Sequence, residues 1–427
     1  MIDVKFMRDN PELVKANMKK KFKSDEQAAL VDTAIELDAA YRQKLQEIEN
    51  LKAKSNANAK EIGKLMAQGK KDEAEKAKSA VADVKKAIPL LETEVRELKE
   101  KLNQTMLCIP QIIADDVPLG KDDSENVEVA KFGNAATPGF EIPYHIEIME
   151  RLNGVELEPA RKTSGAGFYY LKGDIARLHS AILSYARDFM IDRGFTYYIP
   201  PYMIRSEVVT GVMSFSEMEN MMYKIEGEDL YLIGTSEHSM IGKFINEIIS
   251  EEELPQALTS YSPCFRKEVG AHGIEERGVF RIHQFEKQEM VVLCKPEQSP
   301  EWFDKMCQHT VDFFVSLDVP VRTLECCSGD LADLKVKSID VEAWSPRQQK
   351  YFEVGSCSNL GDAQSRRLGI RARTADGQKY IPHTLNNTVA APPRMLIAFL
   401  ENNLNEDGSV NVPEALRAYM GGKTCIK

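Results

Sequence analysis

Two stretches near the start of the 427-residue chain carry apolar residues at alternating spacings of three and four. The second is nearly unbroken, running Val81, Val84, Ile88, Leu91, Val95, Leu98 and Leu102. The first runs Ala34, Leu37, Tyr41, Leu45, Ile48 and Leu51, weakens through Ser55 and Asn58, and resumes at Ile62 and Leu65. A 3.5-residue repeat lays one apolar stripe along a helix, and two such stripes can close on each other. Between them Gln68-Gly69-Lys70-Lys71-Asp72 has the glycine and polar residues of a turn, so the pattern predicts an antiparallel coiled-coil hairpin. About 32 residues per helix at 1.5 Å each gives an arm roughly 50 Å long, too thin for a globular core and expected to project. Pro89 interrupts the second stripe. It removes a backbone donor and crowds the carbonyl four residues earlier, at about 3 kcal/mol, which predicts a kink or a break.

Beyond the arm the pattern changes. Residues 108–130 are polar with scattered Pro and Gly, as in a linker. Short apolar runs then alternate with helical stretches such as 175–190, and TYYIP, DLYLIG, RIHQFEKQEMVVL and KYFEVGSCS read as strands of a meander. This predicts an α+β fold, an antiparallel sheet flanked by helices. The expected domains are 1–107, with its arm at about 30–105, the linker 108–130, and 131–427. No GxGxxG follows a strand and no P-loop occurs, so any nucleotide must be held by another scheme.

Composition adds limits. With 43% hydrophobic and 28% charged residues and no apolar run of 18, a membrane protein is not expected. The first residues lack the apolar core of a signal peptide, which predicts a cytoplasmic protein. Eight cysteines include no CxxC pair, so no structural zinc is expected. The net charge of −11 is unevenly spread: residues 1–105 hold 22 Lys+Arg against 19 Asp+Glu, leaving a net of −14 for the rest. If the chain meets nucleic acid, the N-terminal part is the better candidate.

The segment 264–292, CFRKEVGAHGIEERGVFRIHQFEKQEMVV, reads as two strands joined by a charged loop. Strand alternation would set Arg266 with Glu268 on one face, and Arg281, His283, Phe285, Lys287 and Glu289 on one face. Arginines clamp phosphates, an aromatic face stacks on a base, and a carboxylate holds an ammonium or hydroxyl. A solvated hairpin with surface ion pairs fits the composition equally well.

The arrangement FR-x-E, a loop, then R-x-HQF-x-K-x-E resembles motif 2 of class II aminoacyl-tRNA synthetases, in the form found in seryl-tRNA synthetases. The resemblance extends over essentially the whole chain: the start MIDVKFMRDNPELV, the arm, KTSGAGFYYLKGDIARLHSAIL, RGFTYYIPPYMI (motif 1), GTSEH, FEVGSCSNLGDAQSRR, HTLNNT followed by an arginine (motif 3), and YMGGK. It implies a class II catalytic domain that activates serine with ATP and Mg²⁺ and passes it to the 3′ end of tRNA(Ser). Charging of a selenocysteine tRNA is left open. It further implies a homodimer shaped by Pro200-Pro201, and tRNA contacts from the arm and the motif-2 loop.

Roles follow from the resemblance. Arg266 is expected on the α-phosphate, with Lys267 and Glu268 beside ATP, Glu268 on its adenosine side or on the tRNA end. Phe285 is expected under adenine, the backbone near Ile282 at its edge, and Arg281 and Arg394 on the β- and γ-phosphates. Glu353, Val354, Gly355 and Ser356 are expected around ATP, Glu353 and Ser356 as Mg²⁺ ligands. Thr235, Ser236, Glu237, Arg266, Glu289 and Thr388 are expected to bind serine. The catalytic residues would be Arg266, Arg281 and Arg394.

These roles are chemically coherent. The serine carboxylate is already ionised, so its in-line attack on the α-phosphate needs no general base, only positioning and cations where charge builds. His283 is accordingly expected to be a structural hydrogen-bonder. Motif 3 departs from many relatives, with Asn387-Thr388 where a Gly-Ser pair is common and Pro392-Pro393 predicted at a helix start that presents Arg394. Two other functions compete: a synthetase-like ligase charging a carrier protein, against which the arm speaks, and a coiled-coil protein with a dead catalytic domain, against which the intact charged set speaks.

Overall fold

The computed structural model describes residues 1–214, 218, 220–268 and 278–427. It divides into two compact units, residues 2–110 and residues 111–427 with Met1. Among the described residues no helix is long and apolar enough to cross a membrane.

In the first unit, α1 (Leu30–Ala67) and α2 (Lys71–Leu107) pair along the predicted seam. All ten positions of the first stripe, Ser55 and Asn58 included, are shielded, as are all seven of the second. The chain reverses through Gly69 at φ +78°, with Lys70 N–H on the Leu65 carbonyl (3.0 Å) and Gly69 N–H on that of Met66 (3.2 Å). This pair of bonds satisfies the last carbonyls of α1, and the positive φ is why glycine stands there. Lys44–Glu94 and Lys52–Glu92 ion pairs, each 2.9 Å, border the seam. The break expected at Pro89 does not occur: α2 runs through it. Pro89 is solvent-exposed, so water can bond the carbonyl that loses its donor, which makes the proline tolerable.

In the second unit eight strands form one sheet: β1 (Val127–Phe132), β2 (Thr196–Tyr198), β3 (Gln256–Phe265), β4 (Gln284–Cys294), β5 (Val321–Glu325), β6 (Lys337–Ser345), β7 (Lys350–Asn359) and β8 (His383–Ala390). Their spatial order is β1-β5-β6-β7-β8-β4-β3-β2, antiparallel throughout except for the parallel β3/β2 pair at one edge. The segment read as a linker is incorporated from Gln111 onward: Gln111 and Ala114 N–H groups bond the Asp333 and Val336 carbonyls, and β1 pairs with β5. Its polar residues belong to a sheet edge, where alternation is weakly patterned.

Helices α3 (Gly173–Ile191), α5 (Ser299–Val315) and α6 (Pro392–Asn402) cover one face of the sheet. Ile175, Leu178, Phe303, Phe314 and Phe399 pack there against Met290, Val292, Leu385 and Val389. The alternate residues of the same strands, Lys287 and Glu289 on β4 and Asn386 and Thr388 on β8, turn to the other face and line a cavity. Period-two alternation thus sends Met290, Val292, Leu385 and Val389 to the helices and Lys287, Glu289, Asn386 and Thr388 to the cavity.

Candidate active site

The cavity measures about 360 Å³ and draws its walls from β4, β7, β8, the residues that follow β3 and precede β4, the short helix α4 (Ser236–Gly242) and the start of α6. Fourteen of the expected residues line it: Thr235, Glu237, Arg266, Glu268, Arg281, Ile282, Phe285, Glu289, Glu353, Val354, Gly355, Ser356, Thr388 and Arg394. Ser236 and Lys267 do not. Ser236 is buried behind the wall, where its hydroxyl accepts a bond from Ser260 (2.8 Å). Lys267 donates its backbone N–H to the Met221 carbonyl (2.9 Å). The rest of the motif-2 loop, 269–277, lies outside the described residues.

The arginines arrive by different routes. β3 ends at Phe265 and β4 begins at Gln284, so Arg266, Glu268 and Arg281 are not set on one face by strand alternation as expected. Instead Glu268 adopts φ +46°, a left-handed conformation that costs about 1 kcal/mol outside glycine. From there it forms an ion pair with Arg281 (3.0 Å). Arg266 donates through Nε to the Gly234 carbonyl (3.2 Å), and its guanidinium lies 5.3 Å from the Phe285 ring centre. Arg394 is in the first turn of α6 behind two prolines, as predicted; it pairs with Glu353 (2.9 Å) and lies 4.9 Å from the Phe280 ring.

Glu353 and Ser356 share the cavity wall for a reason no motif carries. Residues three apart on a regular strand face opposite ways. Here β6 pairs Val341 with Gly355 and Glu342 with Glu353, leaving Val354 as a bulge that returns Glu353 to the side of Ser356. Asn387 faces the other way, its amide donating to the Met306 carbonyl and to Thr310 Oγ1, both 2.9 Å. Its bulk relative to glycine therefore does not enter the cavity.

At one end of the cavity Thr235, Glu237, Lys287, Glu289 and Thr388 meet. Lys287 and Glu289, both buried, form an ion pair, and Thr235 Oγ1 donates to Glu289 (3.4 Å). Gln364 donates to Glu237 (2.7 Å) and accepts from Thr384 (2.7 Å), which fixes its amide orientation. Burial and the Glu289 charge push the Glu237 carboxyl up to about 7. Burial, with Arg266 and Lys287 nearby, pushes His238 down to about 3, so this lining imidazole is neutral. His283 turns out to be bonded to the backbone: its Nδ1 lies 3.1 Å from the Arg266 carbonyl and 3.2 Å from the Tyr223 hydroxyl.

Sequence reasoning gave no role to Lys287, His238, Lys335 or Asn386, all of which line the cavity. Lys287 had a signal, since it alternates with Phe285 and Glu289. Asn386 alternates with Thr388 in the same way. Lys335 lies on a loop that carries no periodicity.

Residues 221–403 match the model of the tRNA synthetase class II core domain (G, H, P, S and T), and residues 1–113 that of the seryl-tRNA synthetase N-terminal domain. A serine–tRNA ligase of Methanocella arvoryzae is 39% identical over 425 residues, 99% of each chain. The chain belongs to the seryl-tRNA synthetase family. The structure of the seryl-tRNA synthetase from Pyrococcus horikoshii, complexed with ATP, superposes with a TM-score of 0.92 at 39% identity, covering 100% of this chain and 99% of that one. The cytoplasmic serine–tRNA ligase of Naegleria fowleri, in complex with AMP, gives 0.87 at 32% identity with the same coverage. The α+β fold, the helical pair and the class II core are therefore features of the family.

Proposed function

We propose that this chain activates serine with ATP to seryl-adenylate and transfers serine to the 3′ end of tRNA(Ser). The observation that carries the reading is the meeting, in one cavity, of three arginines from separate elements with the Thr235–Glu237–Glu289–Thr388 end. Among the described lining residues five cations face four carboxylates, a balance that suits a polyanion. Phe285 offers a face for adenine, with Arg266 against it to grip the α-phosphate. Arg281 and Arg394, now held by Glu268 and Glu353, would turn to the distal phosphates. The serine hydroxyl and ammonium find Glu289, Thr235 and Thr388. Because those groups would be left unpaired by alanine, discrimination of about 10⁴ is expected.

The donor set fits Mg²⁺. Glu353 and Ser356 offer oxygens on one wall, and Asp340 pairs with Ser356 across β6 and β7. Burial, and then the nearby Glu353, push the Asp340 carboxyl up to about 6, against the opposing pull of Lys335. When bound there, Mg²⁺ would neutralise phosphate charge.

The exposed lysines of the arm, including Lys54, Lys60, Lys71 and Lys76, support tRNA binding by that unit. Motif 1 ends beside the edge strand β2 with Ile199 66% exposed, which supports a homodimer interface there. A cytoplasmic location accords with a tRNA substrate. Serine-dependent ATP–pyrophosphate exchange tests the reading. No exchange with serine, or equal exchange with alanine and threonine, would overturn it.

A further inference from the structure

Lys335 lines the cavity but has no part in the reading above. It sits on the loop between β5 and β6, pinned by Lys335 N–H on the Ala332 carbonyl (3.1 Å) and Val336 N–H on that of Asn359 (2.8 Å). Its ammonium donates to Ser338 Oγ (3.2 Å) and Ser356 Oγ (3.4 Å). These hydroxyls belong to a ladder across β6 and β7 in which Ser338 also approaches Ser358 Oγ (3.4 Å). Three of the other cavity cations, Arg281, Arg394 and Lys287, each touch a carboxylate. Lys335 instead donates to neutral hydroxyls, with the Asp340 carboxyl near but not among its hydrogen-bond partners.

We propose that Lys335 is a polyphosphate-binding residue, its ammonium parked on Ser338 and Ser356 until ATP enters and then transferred to phosphate oxygens beyond the α-phosphate. The inference rests on the reading of the cavity as an ATP site. Both parking bonds are longer than the ~2.9 Å typical of N–H···O contacts. Bonds between two charged groups are roughly twice as strong as neutral ones, so exchange of hydroxyl for phosphate is favourable. Position selects the distal phosphates. Phe285 and Arg266 mark the base and α-phosphate side at β3 and β4, whereas Ser356 is on β7, two strands from β4. At 4.8 Å per strand that is roughly 10 Å, a distance a triphosphate covers and a monophosphate does not. The transfer also removes one donor from the Ser356 hydroxyl, one of the two groups assigned to Mg²⁺, which keeps its contact with Ser338 (3.3 Å).

Binding of ATP and of AMP, measured by calorimetry in Mg²⁺ on the full chain, separates the possibilities. Lys335→Gln keeps a donor for the two hydroxyls but loses the charge; Lys335→Arg keeps the charge. The Gln variant is expected to bind ATP about tenfold more weakly and AMP within about twofold of the parent, and Arg to recover most of the loss. If the Gln variant does not fold, Lys335→Met carries the same expectation. Unchanged ATP binding, an equal loss for AMP, or rescue by Gln rather than Arg would overturn the proposal. A parent chain that binds neither nucleotide would instead defeat the ATP reading itself.

Discussion

Along the arm the inward positions from Ala34 to Leu65 and from Val81 to Leu102 are shielded and almost all apolar, and the ion pairs Lys44–Glu94 and Lys52–Glu92 lie outside them, partly in water. The cavity inverts that order. There the ion pair Lys287–Glu289 is buried, while Met290 and Val292 of the same strand face away into the helix layer. Exposed pairs contribute little, so the arm owes its stability to its seam. A buried pair costs desolvation and is strongly destabilising when one member is removed, so the cavity relies on a fold stable enough to keep its charges in place. One region is built for its own stability; the other spends stability on charge placed for a ligand.

Perturbations should separate the two regions. Arg394→Ala removes a cation from the cavity and is expected to lower serine-dependent exchange about a thousandfold, with the arm's helicity unchanged by circular dichroism. Deleting residues 34–104 should do the converse, leaving exchange within about twofold while tRNA charging falls a hundredfold or more, equivalent to ~3 kcal/mol. An arm deletion that still charges tRNA normally would refute the assignment of RNA binding to that unit.

Smaller effects test the stability side. The raised Glu237 carboxyl holds its proton in the fold to about 7 against 4.5 when unfolded. The stability it contributes is full below pH 4.5 and lost as pH rises through 7, so Glu237→Gln should be the more stable protein above pH 7, by on the order of 3 kcal/mol at most. His238, depressed to about 3, acts in the opposite sense, its contribution being lost as pH falls from 6.5 towards 3. Denaturant midpoints of the parent alone would mix the two; comparison with Glu237→Gln from pH 4 to 8 isolates the carboxyl. In the arm, Leu91→Ala should cost about 2 kcal/mol, read as faster hydrogen exchange along α2 with exchange activity intact.

The arm was legible because a heptad repeat is a local property. Neighbours three and four residues apart suffice to define the stripe, and even the polar Ser55 and Asn58 fall on it. Only the consequence of Pro89 was misjudged, since exposure to water, not sequence, decides whether a helix absorbs a proline. Arg266, Phe285 and Arg394 were legible as chemistry, because their motifs put unusual side chains at strand and helix ends.

What the chain order could not supply was register between distant strands. The bulge at Val354 arises from pairing with β6, and without it Glu353 and Ser356 would face opposite sides. The left-handed turn at Glu268 and the arrival of Lys335 beneath Ser356 likewise depend on segments that meet only in the folded sheet. The sequence by itself determined the helical seam, the alternation of β4 and the set of charges available. Tertiary structure decided which charges face one another, because electrostatic partners are chosen by distance in space.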